Sequence, residues 1–118
     1  MAVNYEVRYA SHPDDAKHYD TERLRKEFLV QNILEPDNIN MIYSMVDRVI
    51  VGGCVPAKKS QKLESIDPLK ADYFLQRREF GTINIGGKGK ITVDGESYEL
   101  ERTDALYIGR GAKEVVFE

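Results

Sequence analysis

Chemistry in this chain has to come from carboxylates, arginines and tyrosines, because imidazoles and thiols are scarce. The sequence holds two histidines and one cysteine. Zinc, iron or manganese sites want two or three imidazoles beside a carboxylate. His12 precedes Pro13 and His18 lies among charged residues, so both read as surface positions. Cys54, between Gly53 and Val55, reads as a small buried hydrophobe rather than a nucleophile. A lone thiol makes neither an intrachain disulfide nor a cysteine-based zinc site. Glu79 and Glu114 remain as carboxylates that together would hold at most a weak hard cation. The plainer expectation is that Glu79 pairs with Arg77 or Arg78. Arg48, Arg77, Arg78 and Arg110 carry the planar guanidinium that matches a carboxylate bidentately, although arginines on short strands more often balance surface charge.

The elements that must position these groups are mostly strands. A chain of 118 residues buries on the order of two-thirds of its unfolded surface, enough for one core. Residues 1–38 read as an arm with one short helix: Asp20 or Thr21 is the N-cap, and Leu24 and Phe28 lie one turn apart. Such a helix must dock on something else. From residue 39 the chemistry is β, with strands expected over 39–45, 48–55, 72–79, 82–85, 90–93, 96–100, 105–108 and 114–117. Asp94-Gly95 is a type I′ hairpin signal. The lysine-bearing stretch 57–71 reads as a long, solvated surface loop. Short strands with glycine turns between them predict a sandwich or small barrel.

Composition narrows the function further. A net charge of −3 gives no reason to expect nucleic acid, which wants a basic face. No apolar run approaches the roughly 20 residues that span a membrane, and the first ten residues lack the apolar stretch of a signal peptide. The expectation is a cytoplasmic protein. Gly86-Gly87-Lys88-Gly89 is no phosphate loop, since such loops open a helix and strands flank this one.

Glu79, six residues, then Gly86 resembles the end of the first cupin motif. Gly89-x-Ile91-x-Val93-Asp94-Gly95, Tyr98, Leu100 and Asp104-Ala105-Leu106-Tyr107-Ile108 resemble the linking hairpin and the start of the second. The resemblance implies a cupin-type (RmlC-like) β-sandwich or barrel over residues 39–118. It also shows a departure: Tyr73 and Leu75, or Asp72 and Phe74, stand where the histidine pair belongs, and Glu114 stands at the second motif's histidine. Only Glu79 of the four usual ligands is present, so no metal is expected in this chain. Tyr73, Leu75, Glu79 and Glu114 would line the interior or its mouth, with Arg48 and Arg77 as further binding candidates.

A closer resemblance covers nearly the whole chain. Leu24-Arg25-x-Glu27-Phe28-Leu29-Val30, Tyr43-Ser44-x-x-Asp47-Arg48-x-Ile50-Val51-Gly52-Gly53, Tyr73-Phe74-Leu75-x-Arg77-Arg78-Glu79, Gly81-x-Ile83-Asn84-Ile85-Gly86-Gly87-x-Gly89 and the closing Asp104-to-Phe117 run are similar to the 5-keto-4-deoxyuronate isomerase family. The resemblance implies conversion of 5-keto-4-deoxyuronate to 3-deoxy-D-glycero-2,5-hexodiulosonate in pectin breakdown. It also implies two cupins, zinc in the C-terminal one, and a hexamer. Such a reaction passes through an enediolate, which needs an electrophile and a general base. This chain would then be the N-terminal unit, inactive alone, with 115–117 an unpaired strand that self-associates or pairs with residues 3–9. A metal-free carbohydrate-binding or sensing cupin is the alternative.

Overall fold

Ile39, Met41 and Tyr43 alternate with Asn40, Ile42 and Ser44, the period of a strand. In the computed structural model, which describes residues 3–118, this segment is the middle strand of a three-stranded sheet. We number the strands in chain order. β1 (Val3–Arg8) runs parallel to β2 (Ile39–Ser44), from Val3 opposite Ile39 to Arg8 opposite Ser44. β3 (Val49–Cys54) returns antiparallel to β2 through a four-residue loop in which Asp47 and Arg48 take positive φ. The N-terminal segment therefore pairs with β2, and not with the chain's last strand as expected.

The second sheet has the order β4-β9-β6-β7. It comprises β4 (Gln61–Lys62), β6 (Gly89–Val93), β7 (Glu96–Leu100) and β9 (Val115–Phe117). Asp94 and Gly95 both have positive φ, as a type I′ turn requires. β9 lies between β4 and β6. The expectation of an unpaired last strand is thereby corrected: Val116 is matched on one side by Lys62 and on the other by Thr92. β5 (Phe80–Ile83) and β8 (Ala105–Ile108) form a separate antiparallel pair.

One core joins all three sheets. It draws Ile39, Met41 and Tyr43 from β2, Ile91 and Phe117 from the second sheet and Ile108 from β8. The Phe80 and Phe117 rings pack tilted at 6.0 Å between centroids. The class is all-β, consistent with a cupin-like sandwich. No closed barrel forms among the described residues, since the strands fall into three separate sheets.

Two expected elements differ. Residues 72–79 make turns, not a strand. Phe74 and Leu75 are neighbours and both are buried, which a strand with one solvated face cannot achieve. Side chains meet the backbone instead: Gln76 Oε1 accepts from the Asp72 N–H at 2.8 Å, and Arg77 Nη2 donates to the Leu69 and Lys70 carbonyls. The stretch 57–71 is no solvated loop either. It holds β4 and a 3-10 turn (Asp67–Leu69), and its Leu63, Ile66 and Leu69 are buried in the core. Gln61, opposite Phe117, is fully buried with no protein partner for its amide, and nothing in the structure explains it.

The helix expected in the arm is α2 (Thr21–Phe28), capped by Asp20 Oδ1, which accepts from the Arg23 N–H at 2.8 Å. A shorter α1 (Pro13–Ala16) precedes it, and His12 Nδ1 accepts from the Asp14 N–H at its start. Past α2 the arm lies on the first sheet: Arg8 Nη1 donates to the Leu29 carbonyl at 2.6 Å, and Asn40 Nδ2 to that of Ile33 at 3.4 Å.

Asp37 joins this arm to the 57–71 stretch. Its Oδ1 accepts from the backbone N–H groups of Ala57, Lys58 and Lys59 at 3.0, 2.8 and 3.2 Å. Those donors, Lys58 first, favour the carboxylate and lower the Asp37 pKa. A depressed pKa contributes stability that is present above the unfolded value, about 3.9, and is lost as pH falls through the folded one. Asp37→Asn keeps an acceptor and tolerates positive φ but does not titrate. The melting-temperature gap between wild type and this variant is expected to narrow as pH is lowered from 5 to 3. A gap constant across that window would show that the charge contributes nothing.

Candidate functional site

The two-stranded sheet positions an exposed carboxylate–phenol pair. Glu79 immediately precedes β5, and Tyr107 lies on β8 opposite Gly81. Strand alternation puts Glu79, Gly81 and Tyr107 on one face. Tyr107 donates its phenolic O–H to Glu79 Oε2 at 2.7 Å. That hydrogen bond, with lesser contributions from burial and the carboxylate's charge, raises the Tyr107 pKa. Glu79 therefore pairs with a phenol, not with Arg77 or Arg78 as expected.

The arginines serve the backbone. Arg78 donates through Nη2 to Tyr43 Oη at 2.8 Å and through Nη1 to the Arg48 carbonyl at 3.1 Å, with its guanidinium 4.9 Å from the Tyr43 ring centroid. Tyr43 is a core residue, so this contact ties the β2–β3 loop to the segment before β5. Arg48 enters through its carbonyl and its left-handed φ of 52°. Arg77 is occupied by the Leu69 and Lys70 carbonyls. Tyr73 is half-buried, and its carbonyl accepts from the Gln76 N–H.

Glu114 lies elsewhere. Its carboxylate faces Lys62 Nζ at 3.2 Å, and its N–H donates to Asp94 Oδ1, in the β6–β7 turn, at 2.8 Å. Of the five candidate residues, Arg77, Glu79 and Glu114 thus have different side-chain partners. The donor set does not fit zinc: Glu79 is bonded to a phenol, Glu114 to an ammonium, and His12 accepts at a helix start. No group of three or more His, Cys, Asp or Glu residues suited to a metal occurs among the described residues.

Sequence reading missed a cleft of about 340 Å³ between β1 and the two helices, lined by Arg8, Tyr9, His12, Tyr19, Arg23 and Lys26 among others. Its arginines are largely satisfied. Arg8 pairs with Glu6 at 2.9 Å, and Arg23 pairs with Glu27 at 3.0 Å while lying 4.4 Å from the Tyr19 ring centroid. The missing signal was β1 itself, whose parallel partner is 36 residues away.

Cys54 is half-buried on β3, and burial pushes its thiol pKa up to about 11. The thiolate is the reactive form. Native protein at pH 8 is expected to react slowly with a disulfide reagent such as DTNB, with one thiol released rapidly on denaturation. Equal rates in the two states would refute the protected placement.

No protein-family model matches the chain. Individual proteins do. It is 51% identical to a Bacteroides fragilis protein over all 118 residues and 55% identical to a Formosa agariphila protein over 117, or 99% of the chain. A Lachnoclostridium phytofermentans protein is 54% identical over 112 residues, 95% of the chain. All three are named 4-deoxy-L-threo-5-hexosulose-uronate ketol-isomerase. The chain is homologous, along its length, to part of these ketol-isomerases. It spans 41–42% of their length and matches their N-terminal portion. Over that portion, the motifs that suggested the isomerase resemblance sit on α2, β2, β3, β5, the start of β6, β8, β9 and the turns beside them.

Proposed function

We propose that this chain is the N-terminal cupin unit of a ketol-isomerase acting on 5-keto-4-deoxyuronate in pectin and uronate catabolism. The observation that carries the reading is identity of 51–55% over essentially the whole chain to proteins bearing the ketol-isomerase name. The unit divides into an arm, 1–38, and a cupin-type portion, 39–118, with β1 of the arm added to the cupin's sheet. The reaction moves a carbonyl between adjacent carbons, which needs an electrophile and a positioned base. The zinc that would supply the electrophile belongs, on this reading, to the part of the relatives that this chain does not match. Arg48, Arg77 and Glu114 then organise the fold. Glu79 with Tyr107, and the half-buried Tyr73, are the groups left to meet substrate or a neighbouring unit. A cytoplasmic homo-oligomer, hexameric by resemblance, completes the proposal. No described helix is long and apolar enough to cross a membrane.

The test uses a chimera in which this chain replaces the matching portion of the Bacteroides fragilis relative. The chimera is expected to convert 5-keto-4-deoxyuronate in a zinc-dependent manner, and the 118-residue chain alone to show no turnover. Turnover by the chain alone that survives chelation, or a folded chimera without turnover, would defeat the reading.

A further inference from the structure

We propose that the cleft between β1 and the two helices binds a small sugar acid, a hydroxylated ring that carries one carboxylate. The inference is independent of the functional reading above, because Tyr73, Glu79 and Tyr107 do not line this cleft.

α2 sets the carboxylate end. Arg23 and Lys26 lie one turn apart on it and both line the cleft. Arg23 uses only its Nε on Glu27, at 3.0 Å, and among the described residues its two Nη groups have no acceptor. The guanidinium is held in place all the same. Its carbon lies 4.4 Å from the Tyr19 ring centroid, and the Glu27 side chain that anchors Nε is only 18% exposed. A guanidinium fixed by its face and its Nε offers the remaining edge to a carboxylate in the bidentate geometry that ion prefers. Little ordering is then left to be done on binding. Lys26 pairs with no carboxylate among the described residues and adds an uncommitted positive charge.

The rest of the lining suits hydroxyl groups. Asp15, on α1, is an acceptor with no basic partner among the described residues. His12 Nδ1 accepts from the Asp14 N–H at 3.0 Å, which leaves the proton of the neutral ring on Nε2 as a donor. Tyr9, 76% exposed, supplies a flat apolar face together with a phenol. The remaining acids, Glu6 and Glu27, are answered by Arg8 and Arg23.

Formal charges along the lining therefore cancel, with Glu6, Asp15 and Glu27 against Arg8, Arg23 and Lys26. A multivalent anion such as phosphate finds no net positive field there. A single carboxylate finds the open edge of Arg23, and a polyol finds the acceptor and donors contributed by α1 and the residue before it. The volume of about 340 Å³ is at the small end of the range for small-molecule sites, which fits one sugar ring.

Amide NMR of the labelled chain, titrated separately with D-galacturonate, D-galactose and inorganic phosphate, reads the proposal. Galacturonate is expected to move the amide signals of Tyr9, His12, Arg23 and Lys26 to saturation. Galactose, the same ring without the carboxylate, should bind at least about tenfold more weakly. Arg23→Lys keeps the charge and removes the fork, so it should weaken galacturonate at least about tenfold. Its melting temperature should stay near that of wild type, because the pair it loses is an exposed one. Lys26→Gln breaks no ion pair of the fold and should also weaken galacturonate. Absence of saturable shifts at these four amides overturns the inference. So does galacturonate binding unchanged in both variants, or phosphate that moves the same amides as strongly, which would mark a patch for any anion. The titration needs no turnover and the chimera needs no second site, so either can fail without the other.

Discussion

Replacing Leu75 by alanine is expected to destabilise the fold by about 2–5 kcal/mol, the range for deleting a buried leucine. Leu75 is 1% exposed and sits in the core shared by the three sheets. Its carbonyl also accepts from Gly111 at 2.7 Å, so the turn that carries it is fixed and collapses poorly into a void. Against a total stability of about 5–15 kcal/mol for a domain, this is a large fraction. Urea denaturation should show a lower midpoint with an unchanged slope. Leu75→Met, which nearly conserves volume, should cost less than about 1.5 kcal/mol. Equal losses from both variants would mean that the site does not discriminate shape and is not packed as described.

Gly53→Ala is the second large effect. A methyl group there would lie 2.6 Å from the Ile33 carbonyl oxygen and 2.9 Å from both its carbon and Leu34 Cδ2. Two of these atoms are backbone, so relief requires moving the arm off β3. Overpacking of this kind costs about 1–3 kcal/mol. The displacement should also be visible locally, because the Asn40–Ile33 and Arg8–Leu29 bonds hold the same stretch of arm. Limited proteolysis across residues 29–35 is expected to accelerate in Gly53→Ala but not in Gly52→Ala. At Gly52 the closest atoms are 3.1 Å and 3.3 Å away, and the second is the flexible Met41 side chain. Cleavage unchanged by Gly53→Ala would mean that the arm does not rest on this glycine.

The strands legible in the sequence are those whose pairing is local. Asp94-Gly95 announced the β6–β7 hairpin, and the Ile39-to-Ser44 alternation announced β2. What escaped reading depends on distant partners. Leu63, Ile66 and Leu69 recur every third residue, but Lys58, Lys59 and Lys62 gave the stretch the look of a solvated loop, and only contact with the core reveals it as buried. Residues 72–79 have strand-like composition, yet side-chain bonds from Gln76 and Arg77 satisfy the backbone in turns. The candidate site was legible as residue types and not as geometry. Glu79 was recognised, but its partner Tyr107 lies 28 residues on. Arg78 is by type a candidate carboxylate grip or a partner for Glu79, whereas its acceptors are a phenol and a carbonyl 35 and 30 residues away.

The parallel pairing of β1 with β2 also sets an order of events. Parallel neighbours cannot be joined by a tight turn, and here each matched pair is 36 residues apart. Closing that loop has to precede any gain from the ladder, which slows such pairings relative to hairpins. β2 and β3, only a four-residue loop apart, can zip first and offer a ready template. During synthesis from the N-terminus, β1 emerges before β2 and β3 and must then wait for its partner with its backbone unpaired. A chaperone that shields extended nascent segments would find its target in β1.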